Sequence, residues 1–278
     1  MPNLITKARA GLRRVLLTTA MLALIAPACG APPGSTYLED LTWTELRDRI
    51  AAGATTVLVP IGGTEQSGPH IALGKHNARA RVLAGRIAQR LGNAVVAPTI
   101  AYVPEGAIDP PAGHMRFAGT ISVSDASFEA LLEATARSFR QHGFRDVVLL
   151  GDHGGYQKSL ERVAAKLNRE WAARPGCKVI ALVDYYRVTQ TDFVDALKAK
   201  GFGADEIGSH AGLADTSLML AIDPTMVREG ALAQAAQAGP REGVHGDPRR
   251  ASAALGQIGI DRVVERSAQL IRDATRAR

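Results

Sequence analysis

Apolar runs with strand character alternate with amphipathic, helix-like segments from about residue 41 to the end of the chain. Thr42 is followed three positions on by Glu45, the pattern of a capping box, and predicts a helix closed by Gly53. Thr56 to Ile61 is a short apolar run rich in β-branched residues, which predicts a buried strand. Residues 62–75 hold four glycines and a proline and predict a loop. Asn77 is expected to cap a helix reaching Leu91, with Val82, Leu83, Ile87 and Leu91 on one face. A strand is expected from Ala94 to Tyr102, then a long Pro- and Gly-rich loop from Pro104 to Gly119. Ser124 predicts the start of a helix to His142, stopped by Gly143. Asp146 to Gly151 is the most apolar strand; a Gly-rich loop over 152–156 leads into a helix ending at Trp171. Lys178 to Val183 predicts another strand, Asp215 or Thr216 opens a short apolar helix to Ile222, and a basic amphipathic helix runs from Gly259 to the end. Such alternation implies an α/β fold, a parallel sheet covered on both faces. In sheets of this kind ligands bind beyond the carboxyl ends of the strands.

The N-terminus departs from this pattern. Lys7, Arg9, Arg13 and Arg14 precede an apolar stretch from Val15 to Ile25, and Ala26-Pro27-Ala28 supplies small residues at signal-peptidase spacing. Residues 1–28 are therefore expected to be a signal peptide, 29–37 a linker and 38–278 one domain. The product would be exported, periplasmic or anchored to the cell envelope by a lipid on Cys29. Those four basic residues also account for much of the formal charge of +6; without them the 33 basic residues fall to 29, against 27 acidic ones. That balance, with no Lys/Arg stripe interleaved with aromatics, excludes a nucleic-acid footprint. A hydrophobic content of 46% excludes a disordered chain. The cysteines, Cys29 and Cys177, form no Cys-x-x-Cys pair, so any metal must be held by imidazoles and carboxylates.

Polar clusters fall just after the expected strands. They are Thr64-Glu65-Gln66-Ser67-Gly68-Pro69-His70, then His76, then Gly151-Asp152-His153-Gly154-Gly155, then Gly208-Ser209-His210-Ala211-Gly212 with Asp215 beyond. Amide hydrolysis needs an activated water and a polarised carbonyl, and one divalent ion with an open coordination position supplies both. Glu65, His76, His153 and Asp215 offer the nitrogen and oxygen donors that suit Zn, Mn or Fe, one ion per subunit. His210 is left to protonate the leaving nitrogen. Ser67, Glu105 and His114 are expected at the substrate pocket, the last two from the long loop after a strand end. No Gly-x-Ser-x-Gly elbow supports a serine nucleophile.

Thr-Glu-Gln-x-Gly-Pro-His, Gly-x-His-Gly-Gly and His-Ala-Gly followed by Asp-Thr-Ser-Leu-Met-Leu-Ala, in this order, resemble the creatininase family of amidohydrolases across roughly residues 38–270. Phe117-Ala118-Gly119-Thr120 stands where the family often has Phe-Pro-Gly-Thr. The resemblance implies a three-layer α/β/α sandwich with a mostly parallel sheet. It also implies a divalent metal centre, hydrolysis of cyclic or linear amide C–N bonds in small molecules, and a homo-oligomer, often a hexamer. Glu65 and His153 match metal-binding residues, His210 a proton-transfer histidine, and Asp215 a position where many members carry a Glu. Two positions depart from the pattern: Ser67 replaces a ligand His, and His76 replaces an Asp that bridges two metals. A neutral imidazole has one lone pair and cannot bridge. The departures predict a mononuclear centre rebuilt on Glu65, His76, His153 and Asp215, with an inactive exported binding protein as the other reading.

Overall fold

The computed structural model describes residues 34–276, so the expected signal segment and Cys29 lie outside the described residues. Four parallel strands, β1 (Thr56–Ile61), β2 (Ala94–Val96), β3 (Asp146–Gly151) and β4 (Lys178–Ala181), form one sheet in the order β2-β1-β3-β4. The helices are α1 (Trp43–Ala51), α2 (Lys75–Leu91), α3 (Asp125–Gln141), α4 (Gln157–Trp171), α5 (Asp184–Gln190), α6 (Asp192–Ala199), α7 (Ala204–Ile207), α8 (Leu213–Ile222), α9 (Leu232–Ala238) and α10 (Ala253–Arg276).

Strand alternation sorts the core into two layers. Leu58, Val148 and Leu150 face α2, α5, α6, α8 and α10, meeting Leu83, Ile87, Phe193 and Ile260. Val57, Val59, Val147 and Leu149 face α3 and α4, meeting Phe128, Leu132, Leu160 and Leu167. Each such side chain contributes about 1.5–3 kcal/mol when fully buried. This is a three-layer α/β/α sandwich.

β4 ends at Ala181 and α8 begins at Leu213, each two residues from expectation, and three further elements differ for local reasons. β2 stops at Val96, and beyond it only an isolated bridge joins Ile61 to Ile100. Pro98 lacks the N–H that a continuing ladder needs. α2 begins at Lys75 with Gly74 as its N-cap. Asn77 sits inside the helix, where its Oδ1 accepts from the Gly63 N–H at 3.0 Å. α10 begins at Ala253, before Gly259, whose missing Cβ lets the helix lie against Leu218 and Phe193.

Candidate active site

β1 and β3 pair so that Ile61 lies opposite Gly151, and their carboxyl ends release two loops side by side. Tyr156, fully buried, ties these loops together. Its hydroxyl accepts from the Asp152 and His153 N–H groups, at 3.1 Å each, and faces the Ile61 and Gly62 carbonyls at 2.9 and 2.6 Å. Tyr156→Phe would leave two buried N–H groups without an acceptor. It is expected to lower stability by about 1–3 kcal/mol in urea unfolding, with Glu65 and His153 less well held.

Glu65 occupies the centre of the site and is fully buried. Its Oε1 lies 2.8 Å from His76 Nε2 and 3.5 Å from Lys75 Nζ. Its Oε2 has no hydrogen-bond partner. That orphaned oxygen lies 3.2 Å from His114 Nε2 and 3.5 Å from His153 Nε2. Among the described residues, Glu65, His114 and His153 form the group whose donor atoms converge closely enough to hold one metal ion. Ligands at roughly 2.0–2.2 Å around a tetrahedral ion are spaced about 3.3–3.6 Å apart, so the separations around Oε2 fit a shared cation. Burial opposes ionisation of Glu65, but His76 and Lys75 outweigh it and hold the carboxyl far below the usual range, as a ligand requires.

The two imidazoles are supported from behind. His153 Nδ1 accepts from the Gly155 N–H at 3.3 Å and also lies 3.3 Å from Glu105 Oε2. His114 Nδ1 lies 3.0 Å from Gln66 Nε2, in an amide anchored by the Gly68 N–H on Oε1. A half-turn of that amide would present its oxygen instead, the partner an Nδ1–H needs when Nε2 holds a metal. Burial pushes the pKa of His153 down to about 4 and that of His114 downward, leaving both rings neutral at neutral pH. Glu105 is buried beside Glu65, and burial followed by that carboxylate pushes its own pKa up to about 9.

The remaining residues expected at the site have other partners. His76 places Nδ1 2.7 Å from Asp152 Oδ2 while Nε2 faces Glu65, so both ring nitrogens point at carboxylate oxygens and neither faces an open position. Asp215 pairs with Arg79 at 2.9 Å and Lys75 at 3.0 Å, and accepts from the Ala211 N–H at 3.0 Å. The expected quartet of Glu65, His76, His153 and Asp215 is therefore not the set brought into ligand geometry; His114 stands where His76 and Asp215 were expected. Ser67 is fully buried with an unpartnered Oγ.

His210 projects from the loop before α8, where Ala211 takes a positive φ of 53° and a short bridge pairs His210 with His245. Its Nε2 donates to the Gln66 carbonyl at 3.0 Å, so Nδ1, 3.7 Å from Glu65 Oε1, carries the lone pair. Burial first, then Lys75, pushes its pKa down to about 3. A cavity of about 220 Å³ opens over these groups, with His114, His153, His210, Lys75, Asp215 and Tyr186 in its wall.

A neutral base, two neutral imidazoles and an unpartnered carboxylate oxygen around one small cavity form a hydrolytic arrangement. The family profile for creatininase, described as creatinine amidohydrolase, matches residues 39–271. The chain belongs to the creatininase family. It is 30% identical over 197 residues to the creatinine amidohydrolase of Pseudomonas putida, a match covering 69% of this chain and 74% of that protein. It is 32% identical over 210 residues to the mycofactocin precursor peptide peptidase of Mycolicibacterium smegmatis, covering 72% and 78%. The fold superposes on a glutamine mutant of creatininase of the Zn-Zn type with a TM-score of 0.73 at 25% identity, covering 87% of this chain and 98% of that one. Creatininase relatives thus include proteins named for quite different substrates, and the creatininase fold is shared over nearly all the described residues.

Proposed function

We propose that this chain is an exported, metal-dependent amidohydrolase that cleaves the C–N amide bond of a small substrate, with Glu65, His114 and His153 holding one divalent ion. The observation that carries this reading is the buried, unpartnered Glu65 Oε2 within 3.5 Å of two imidazole Nε2 atoms at the wall of a polar cavity. The nitrogen and oxygen donors suit Zn, Mn or Fe. When bound, such an ion lowers the pKa of a water and polarises the amide carbonyl.

The protein's own groups do the rest. His210, with Nδ1 turned toward Glu65, accepts the proton of the attacking water and passes it to the leaving nitrogen. The Gln66 carbonyl fixes the ring's other nitrogen as a donor and so keeps Nδ1 free. Glu105 lies behind His153, its Oε2 3.3 Å from Nδ1. The cavity of about 220 Å³ suits a compact amide, cyclic or linear.

The test is a panel of small lactams, linear amides and formamides, assayed with chelated and metal-reloaded protein. Hydrolysis that disappears on chelation and returns on reloading supports the reading; turnover indifferent to chelation contradicts it. His210→Ala is expected to lower kcat about 10²- to 10⁴-fold while metal content stays at the wild-type level. A variant that also loses its metal would show that His210 is a ligand instead.

A further inference from the structure

The first turns of α2 place Lys75, His76 and Arg79 against the site, and all three are buried. The N-terminal end of a helix carries partial positive charge and disfavours cations, and burial strips their hydration. Cations are not kept there without strong compensation. Three carboxylates supply it. Lys75 Nζ lies 3.0 Å from Asp215 Oδ2 and 3.5 Å from Glu65 Oε1. Arg79 reaches Asp152 Oδ2 through Nε at 2.8 Å and Asp215 Oδ1 through a terminal nitrogen at 2.9 Å. Tyr185 donates to the other oxygen of Asp152 at 3.0 Å.

Of the oxygens of Glu65, Asp152 and Asp215, Glu65 Oε2 alone is without a hydrogen-bond partner. A second divalent ion on the side of Asp152 and Asp215 would need carboxylate oxygens that are already engaged, and would stand beside two permanent cations. At about 4 Å, like charges repel strongly wherever water is excluded. Position 76, where the family resemblance has a metal-bridging Asp, carries a ring whose two nitrogens face Glu65 Oε1 and Asp152 Oδ2.

We propose that Lys75 and Arg79 take the place of a second metal ion, so that this centre binds one divalent ion and excludes another. The inference rests on the assignment of Glu65, His114 and His153 as the metal site. The built-in ammonium and guanidinium groups neutralise Asp152 and Asp215 permanently, and the charge that a second ion would bring is part of the chain itself.

The test is zinc stoichiometry of the full chain, by native mass spectrometry and elemental analysis after equilibration with excess zinc. It is run on wild type, Lys75→Ala, Lys75→Arg and His114→Ala. One ion per chain in wild type and in Lys75→Arg, with a second taken up by folded Lys75→Ala, supports the proposal. Two ions in wild type overturn it while leaving the Glu65 site standing, provided His114→Ala loses one of them. Folded Lys75→Ala that stays at one ion also overturns it. No bound zinc in wild type removes the metal assignment itself, and this proposal with it. Wild-type stoichiometry decides between one and two ions even if Lys75→Ala does not fold.

Discussion

Glu65→Gln is expected to lose the bound metal and to lower kcat/KM by about 10³-fold or more. The substitution keeps the shape of the side chain and removes its charge. Among the oxygens of Glu65, Asp152 and Asp215, Oε2 is the one without a hydrogen-bond partner, so its charge is available to a cation. Several kcal/mol of transition-state stabilisation go with a lost metal, and each 1.4 kcal/mol is about tenfold in rate. Steady-state kinetics together with metal content check this. A glutamine variant that keeps its metal and a tenth of its activity would remove Glu65 from the centre.

Arg79→Met is expected to be the most destabilising change near the site, by about 3–5 kcal/mol at pH 7. The guanidinium is buried and bridges Asp152 and Asp215, so its loss leaves two desolvated carboxylates short of a partner. Burial opposes the charge of Arg79, but Asp152 and Asp215 outweigh it and hold its pKa above the usual arginine value. For Asp215, burial would raise the pKa; Lys75 and then Arg79 outweigh it and hold the carboxyl well below the usual range. A carboxyl whose pKa is lowered on folding contributes stability above its unfolded value of about 4, and that contribution fades as pH falls toward the folded value. The gap between wild type and Arg79→Met should therefore narrow on acidification. Denaturant unfolding at pH 7 and pH 4 measures it. A loss under 1 kcal/mol at pH 7 would mean that water, not Arg79, solvates these carboxylates.

The parts of this fold set by local chemistry were legible in the sequence. β1 and β3 are apolar, β-branched-rich runs, and their observed bounds are the expected ones. Thr42 and Glu45 form the capping box, and Ser124 caps α3. The start of α2 was not legible, because Asn77 is a good capping residue that is spent instead on the Gly63 N–H. The two short helices over 184–199 have no side-chain cap and little length to show a period. In the site, Glu65 and His153 follow directly from paired strand ends, and so their convergence could be expected. His114 arrives from the loop that follows β2, and no spacing rule places it opposite Glu65. Nothing in the sequence marks Lys75 and Arg79 as buried, since Lys and Arg are rarely buried without partners; the partners, Asp152 and Asp215, come from the loop after β3 and from α8 and are visible only once those elements are assembled.

The assignment of the metal to Glu65, His114 and His153 is tested most directly by anomalous X-ray diffraction from zinc-loaded crystals at the zinc edge. A single peak per chain is expected, coordinated by Glu65 Oε2, His114 Nε2 and His153 Nε2. A peak coordinated by His76 or Asp215 in place of His114, or a second peak beside Lys75, would contradict it.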